Sequence, residues 1–104
     1  DFFRAVPAGA DCYLMKHIIH DWDDARALTI LRNCRAAVRP AGTLLLAEVV
    51  IPPGNGPSVG KLLDLEMLAI AGGKERTEDE YRGLLAAARF RLTRVVPTRS
   101  PVSL

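Results

Sequence analysis

The sequence predicts an α/β fold in which helices cover a mostly parallel sheet, and three observations indicate it. Apolar runs at residues 12–15 and 43–51 have the length and composition of buried strands. Between them, residues 25–38 repeat apolar side chains every three or four positions, as an amphipathic helix does. Residues 16–24 gather both histidines, the only tryptophan and three aspartates where the first strand leads into this helix. Open α/β sheets bind ligands at such places, outside the carboxyl ends of their strands.

The first helix has start and stop signals at both of its predicted ends. Aspartates at its beginning are suited to accept hydrogen bonds from free backbone N–H groups. The segment Pro40-Ala41-Gly42 ends it. Its predicted apolar stripe consists of Ala27, Leu28, Leu31, Cys34 and Val38.

The following run, residues 43–51, is predicted to be an interior strand because it is apolar on both faces. Only Glu48, near its carboxyl end, interrupts it. A Pro- and Gly-rich loop comes next, then a predicted helix at 61–71 and a second loop at 72–76.

The last third of the chain begins with a capping box, in which Thr77 precedes Glu80 by three residues. This box predicts a helix that buries Tyr81, Leu84, Leu85 and Ala88. Alternating apolar residues at 90–96 predict a strand, and 102–104 are expected to begin its antiparallel partner.

Composition excludes several classes of function. The 104 residues are 49% hydrophobic and 25% charged, as in an ordinary globular domain or part of one. The net charge of +2 comes from scattered basic residues, so we expect no nucleic-acid partner. The apolar runs are too short to span a bilayer, and we expect no membrane partner. Two isolated cysteines favour a reduced, cytoplasmic location.

Metal and phosphate sites were the first candidates for chemistry. His17 and His20 with the nearby aspartates have ligand types that suit zinc, but helix capping accounts for the acids better, so no metal is predicted. The glycine-containing segments 56–61 and 72–74 depart from phosphate-binding loops in spacing or composition and are interpreted as turns.

The third candidate joins His20 to Glu48 and Glu75. Glu48 lies late in an interior strand, so its side chain is expected at the same sheet edge as His20. A carboxylate beside an imidazole fixes its tautomer and stabilises the imidazolium, which suits a general base. The alternative is that Glu48 only caps a loop or pairs with a lysine.

Three motifs in order resemble the plant and bacterial small-molecule O-methyltransferases, such as the caffeic acid, hydroxyindole and polyketide O-methyltransferases. They are the segments 16–24 (KHIIHDWDD), 46–48 (LAE) and 72–77 (GGKERT). The resemblance runs over essentially the whole chain. It implies the C-terminal half of a class I, Rossmann-like methyltransferase domain that uses S-adenosylmethionine, with an antiparallel last strand.

The resemblance also assigns roles to individual residues. His20 matches the catalytic base, and Glu48 and Glu75 match the acids that flank it. The other matched positions are Asp1 and Phe2 beside the cofactor's adenine, Lys16 on the cofactor side, Asp21 near the methyl-transfer centre, and Met67 in the acceptor pocket.

Comparison with the family pattern makes the chain, residues 1–104, look incomplete at both ends. The glycine-rich cofactor loop and the N-terminal dimerisation domain would precede Asp1, so the fragment alone is expected to be inactive and the longer protein to be a homodimer. Arg89 replaces a glycine that often ends the last helix, which is therefore expected to lack a left-handed glycine cap. His17 replaces a tryptophan of many plant members.

The resulting hypothesis is methyl transfer to a hydroxyl of a small aromatic or polyketide-type acceptor, with His20 as the base. One alternative is a relative that binds the cofactor but performs hydroxylation or decarboxylation. Another is a truncated, non-catalytic fragment.

Overall fold

The computed structural model of the chain describes residues 1–52, 74–100 and 102–104. Its strands and helices follow the predicted α/β order. They are β1 (Cys12–Lys16), a 3₁₀ turn (Ile19–Asp21), α1 (Asp24–Ala37), β2 (Thr43–Ile51), β3 (Arg76–Thr77), α2 (Glu78–Ala87) and β4 (Val102–Ser103). Within the described ranges, no helix is long and apolar enough to cross a membrane.

Strand β2 is the centre of the sheet. It pairs in parallel with β1 along residues 43–47 and with β3 at its carboxyl end. Strand β4 pairs with it in the antiparallel direction, Glu48 opposite Ser103 and Val49 opposite Val102. The mostly parallel sheet with an antiparallel last strand is therefore confirmed.

Both predicted helix starts form as the sequence indicates. The Asp23 carboxylate accepts a hydrogen bond from Arg26 N at 2.9 Å and caps α1. Thr77 and Glu80 form both halves of the capping box of α2. One apolar cluster joins the two helices to the 3₁₀ turn, and its buried members are Ile19, Ala27, Ile30, Leu31, Cys34, Tyr81, Leu84, Leu85 and Ala88.

The expectation that both strands are buried was wrong for all of β1 and for the first half of β2. Leu14 is 65% exposed and Leu45, its partner across β1 and β2, is 39% exposed. Met15 and Leu46 on the opposite face pack against the apolar cluster. Among the described residues, helices therefore cover one face of this part of the sheet and leave the other open.

The predicted strand at 90–96 does not form. Phe90 and Leu92 pack against the apolar cluster while Arg91 and Arg94 are exposed, so the alternation reflects side-chain burial rather than strand pairing. Backbone hydrogen bonds link only Val96 with Leu104, in both directions. A single bridge joins Pro97 to Ser103. Strand β4 pairs with β2 instead of with a strand at 90–96.

Helix α2 ends in a left-handed cap even though glycine is missing there. Arg89 has a φ of 64°, its N–H donates to Ala86 O at 3.0 Å, and Phe90 N donates to Leu85 O at 2.8 Å. These two bonds are those of a Schellman motif. An arginine therefore occupies a conformation in which its Cβ is strained.

Replacing Arg89 with glycine should stabilise the fold. The left-handed strain disappears, partly offset by the freer unfolded chain, so the free energy of unfolding should rise by about 0.5–1 kcal/mol. Urea denaturation of the natural full-length protein measures it. The control Ala86→Gly, one turn earlier at an exposed helical position, should lower it by about 0.5–1 kcal/mol. A destabilised Arg89→Gly variant would contradict the strain argument.

Candidate active site

The turn after β1 places His20 at the carboxyl end of the sheet. His17 N donates to Ala47 O at 3.0 Å, and the chain then reverses through His17, whose φ is 53°. Ile19 is completely buried in the apolar cluster and anchors the 3₁₀ turn. The His20 side chain that follows it is 13% exposed.

Glu48 contacts both the turn and the imidazole. It is 2% exposed, and its Oε1 accepts hydrogen bonds from Ile18 N at 3.0 Å and Ile19 N at 2.9 Å. Its Oε2 lies 3.1 Å from His20 Nδ1. Glu48 therefore makes both predicted contacts: one oxygen faces His20, and the other caps the turn.

Glu75 approaches the same ring nitrogen from the segment that leads into β3. Its Oε1 lies 3.3 Å from His20 Nδ1, and the residue is 3% exposed. Asp21, with a side chain 41% exposed, places Oδ1 3.1 Å from Nε2 on the other side of the ring. The structure thus brings the predicted trio of His20, Glu48 and Glu75 together and adds Asp21.

Two carboxylates around Nδ1 define the state of the ring. Oxygens of Glu48 and Glu75 within 3.3 Å favour a proton on His20 Nδ1, because an unprotonated nitrogen would face them lone pair to lone pair. In the neutral ring with this tautomer the lone pair is on Nε2, where it faces Asp21 Oδ1 at 3.1 Å until a hydroxyl comes between them. This is the arrangement of an oriented general base.

Burial shapes the electrostatics of the cluster. It raises the pKa of Glu48, an effect that N–H donors from Ile19 and Ile18 and the nearby imidazoles oppose. Burial also raises the pKa of the Tyr81 phenol, and the charges of Glu48 and Glu75 raise it further. Tyr81 therefore stays protonated beside the two acids.

Arg76 is a site residue that the sequence analysis missed, since it was interpreted as part of a loop. Its side chain is 1% exposed and donates to the carboxylate of Asp24, to which its Nη2 lies at 2.9 Å. Its neighbour Lys74 lies 3.4 Å from the same carboxylate and 3.0 Å from Glu80. The hydrophobic periodicity of a sequence does not indicate a buried arginine, so the burial of Arg76 is visible only in the packed structure.

The aspartates act mainly as caps and ion-pair partners. Asp23 caps α1 and Asp24 pairs with Arg76, which supports the capping interpretation over zinc. His17, His20 and Glu48 do offer ligand atoms within 4.8 Å of one another. His20 Nδ1 also faces the carboxylates of Glu48 and Glu75 directly, at 3.1 and 3.3 Å.

The residues expected near the cofactor occupy accessible positions. Asp1 is exposed, and Lys16 is exposed at the end of β1. The half-buried Phe2 accepts a hydrogen bond from Asn33 through its carbonyl at 2.9 Å, and its ring meets Trp22 edge to face at 6.5 Å. Met67 and the predicted helix around it lie outside the described residues.

A cavity of about 850 Å³ lies between β2 and residues 89–96. Glu48 and Tyr81 are among its lining residues, whereas His20 is absent from them. Because His20 does not line it, we treat this cavity as separate from the cluster around the imidazole.

A known protein family matches most of this chain. The O-methyltransferase domain family matches residues 1–91. The chain belongs to this family. It is 51% identical over its full length to the phenazine O-methyltransferase PhzM of Lysobacter antibioticus, and 47% identical over 97% of its length to the acetylserotonin O-methyltransferase of Mus musculus. It spans 30% and 26% of the lengths of these two relatives.

Solved structures of O-methyltransferases have the same fold. LaPhzM superposes with a TM-score of 0.94 at 51% identity, over 99% of this chain and 31% of that one. A second structure is an O-methyltransferase from neocarzinostatin biosynthesis in complex with S-adenosylmethionine and 2-hydroxy-5-methyl naphthoic acid. It superposes with a TM-score of 0.85 at 39% identity, over 98% of this chain and 29% of that one. A structure described as a pericyclic reaction enzyme superposes with a TM-score of 0.89 at 27% identity, over 99% of this chain and 27% of that one.

Proposed function

We propose that this chain supplies the catalytic base for S-adenosylmethionine-dependent methyl transfer to a hydroxyl of a small aromatic or polyketide-type acceptor. One observation carries the proposal: His20 Nδ1 lies within 3.3 Å of two buried carboxylates at the carboxyl end of the sheet. Relatives at 47% and 51% identity are named O-methyltransferases, which supports the same reaction class.

The chemistry needs a proton acceptor because a phenol with a pKa of about 10 is mostly protonated at neutral pH. When bound, the cofactor supplies a methyl group activated by a positively charged sulfur. When the acceptor oxygen is methylated, the proton of its hydroxyl would pass to His20 Nε2. Glu48 and Glu75 hold the ring in orientation and stabilise the imidazolium that forms.

Positioning contributes beside the base. General-base help is typically worth about 10²–10⁴-fold, and fixing the reacting groups in line can contribute more. Asp21, 3.1 Å from Nε2, lies where it can contact an acceptor hydroxyl. Asp1, Phe2 and Lys16 are proposed to contact the cofactor, and Met67 the acceptor, as the family resemblance implies.

A second function deserves a test because the fold also occurs in a pericyclic reaction enzyme. That structure is 27% identical to this chain, against 51% for LaPhzM, so methyl transfer is the better-supported reaction. A cofactor-binding relative with other chemistry, such as hydroxylation or decarboxylation, is the alternative.

The test uses the natural full-length protein that contains this chain. Incubated with S-adenosylmethionine and a panel of small phenols and hydroxylated polyaromatic acids, it should form S-adenosylhomocysteine and methyl ether in equal amounts, measured by mass spectrometry. Heating or omission of the acceptor is the control. Cofactor binding by calorimetry without any methylated product across the panel would favour the alternative. Size-exclusion chromatography with light scattering checks the proposed homodimer.

A further inference from the structure

We propose that Arg76 is a positioning residue that holds Glu75 and the turn carrying His20 in their catalytic arrangement. The inference rests on the proposed function, because it concerns the same base. It assigns a role to a side chain that does not itself contact His20 among the described interactions.

All five N–H donors of the Arg76 guanidinium have acceptors. Nε and Nη2 donate to Asp24 Oδ1 at 3.0 and 2.9 Å. Nη2 also donates to Trp22 O at 2.9 Å, and Nη1 donates to Ile19 O and Lys74 O, both at 3.2 Å. The Arg76 side chain is 1% exposed whereas that of Asp24 is 62% exposed, so the bonds to the backbone carbonyls are better protected from water than those to Asp24.

The positions of the acceptors explain the proposed role. Ile19 O comes directly before His20, and Trp22 O follows the 3₁₀ turn. Lys74 O is the carbonyl of the peptide bond to Glu75. One rigid planar group therefore ties the backbone on both sides of His20 to the backbone that carries Glu75, and so fixes the 3.3 Å approach of Glu75 Oε1 to Nδ1.

Charge gives Arg76 a second effect on the cluster. Two buried carboxylates next to one imidazole need compensation, since unpaired buried charges are strongly unfavourable. The Tyr81 phenol lies within the electrostatic range of Glu48, Glu75 and Arg76 together, so the guanidinium belongs to the same buried cluster. Lysine keeps the charge but lacks the planar fork whose five hydrogen bonds reach four acceptor atoms.

The experiment is a double-mutant cycle with Arg76→Lys and Glu75→Gln in the natural full-length protein. Each single variant should lower kcat by up to about 10²-fold, since displacing a catalytic group by 1 Å has effects of that size. Each should also move the midpoint of the acidic limb of the pH–rate profile to lower pH, because the carboxylate that stabilises the imidazolium is lost or withdrawn. In the Glu75→Gln background, Arg76→Lys should add little further change, because its effect passes through Glu75.

Controls separate positioning from folding. Arg82→Lys on α2, an exposed arginine paired with Glu78, should leave kcat and the pH profile unchanged. If Arg76→Lys fails to fold, Asp24→Asn takes its place. It weakens the ion pair with Arg76 but keeps an acceptor oxygen, so it should lower kcat and shift the pH profile in the same direction by a smaller amount. Thermal melting and cofactor affinity are measured for every variant.

The outcomes distinguish this inference from the proposed function. Reduced kcat in Glu75→Gln with an unchanged rate and pH profile in Arg76→Lys overturns the role of Arg76 and leaves the base intact. Fully additive losses in the cycle, with kcat following thermal stability, also overturn it. A wild-type rate in both Glu75→Gln and His20→Ala instead overturns the proposed function itself.

Discussion

Replacing His20 with alanine in the natural full-length protein is expected to lower the single-turnover rate of methyl transfer by about 10²–10⁴-fold at neutral pH. The reason is geometric, because oxygens of Glu48 and Glu75 lie within 3.3 Å of His20 Nδ1, so the proposed base would carry its proton there and accept at Nε2. Cofactor affinity, measured by calorimetry, should stay nearly unchanged, since the proposed role of His20 concerns the acceptor hydroxyl.

A matched control is His17→Ala, which removes the other imidazole, with its ring centre 5.3 Å from that of His20. It lacks the two carboxylate contacts, so we expect a much smaller loss of rate. Added free imidazole should partly restore His20→Ala activity by entering the space left by the side chain. A wild-type rate in His20→Ala would show that positioning alone drives the reaction and would leave His20 a packing role.

The sequence predicted that His20 and Glu48 meet because sheet topology requires it. A histidine after one parallel strand and a glutamate late in the next strand lie at the same sheet edge. Strand order places no such constraint on Glu75, whose role was implied by the family resemblance. The caps of α1 and α2 were predictable for a local reason, since Asp23 and Thr77 bond within three residues.

The features that sequence reasoning missed depend on distant contacts. Arg76 is buried because Asp24 and the backbone of the 3₁₀ turn, more than fifty residues away along the chain, supply its acceptors. The pairing of β4 with β2 rather than with a strand at 90–96 depends equally on long-range competition. Arg89 shows that a hydrogen-bonding pattern can impose a left-handed cap without glycine.

Glu48 is the residue whose replacements should separate stability from catalysis most clearly. Glu48→Ala removes the acceptor of two backbone N–H groups, Ile18 and Ile19, in a buried place. The free energy of unfolding should fall by about 2–6 kcal/mol, because unsatisfied buried donors cost about 1–3 kcal/mol each and two are left. Glu48→Gln keeps an oxygen for both donors and should stay close to the wild-type stability.

Catalysis should respond in a different order. In Glu48→Gln the amide NH₂ takes the place of Oε2, which lies 3.1 Å from His20 Nδ1. The NH₂ group repels a proton on Nδ1. Glu75 Oε1 still lies 3.3 Å from Nδ1, so the rate should fall by about tenfold, less than in His20→Ala. Equal rates in Glu48→Gln and the wild-type protein would assign orientation of the ring to Glu75 alone.

The pH dependence of stability gives an independent check on Glu48. Its pKa is raised above the ordinary value of 4.5 by burial, so the folded protein keeps the proton to higher pH than the unfolded chain does. The wild-type protein should therefore lose stability relative to Glu48→Gln as pH rises from 4.5 through the raised pKa. Below that window both proteins carry a neutral side chain and the difference should be smallest. Urea unfolding of both proteins at a series of pH values measures it, and a difference that grows towards acid would mean that the contacts with His20 outweigh burial.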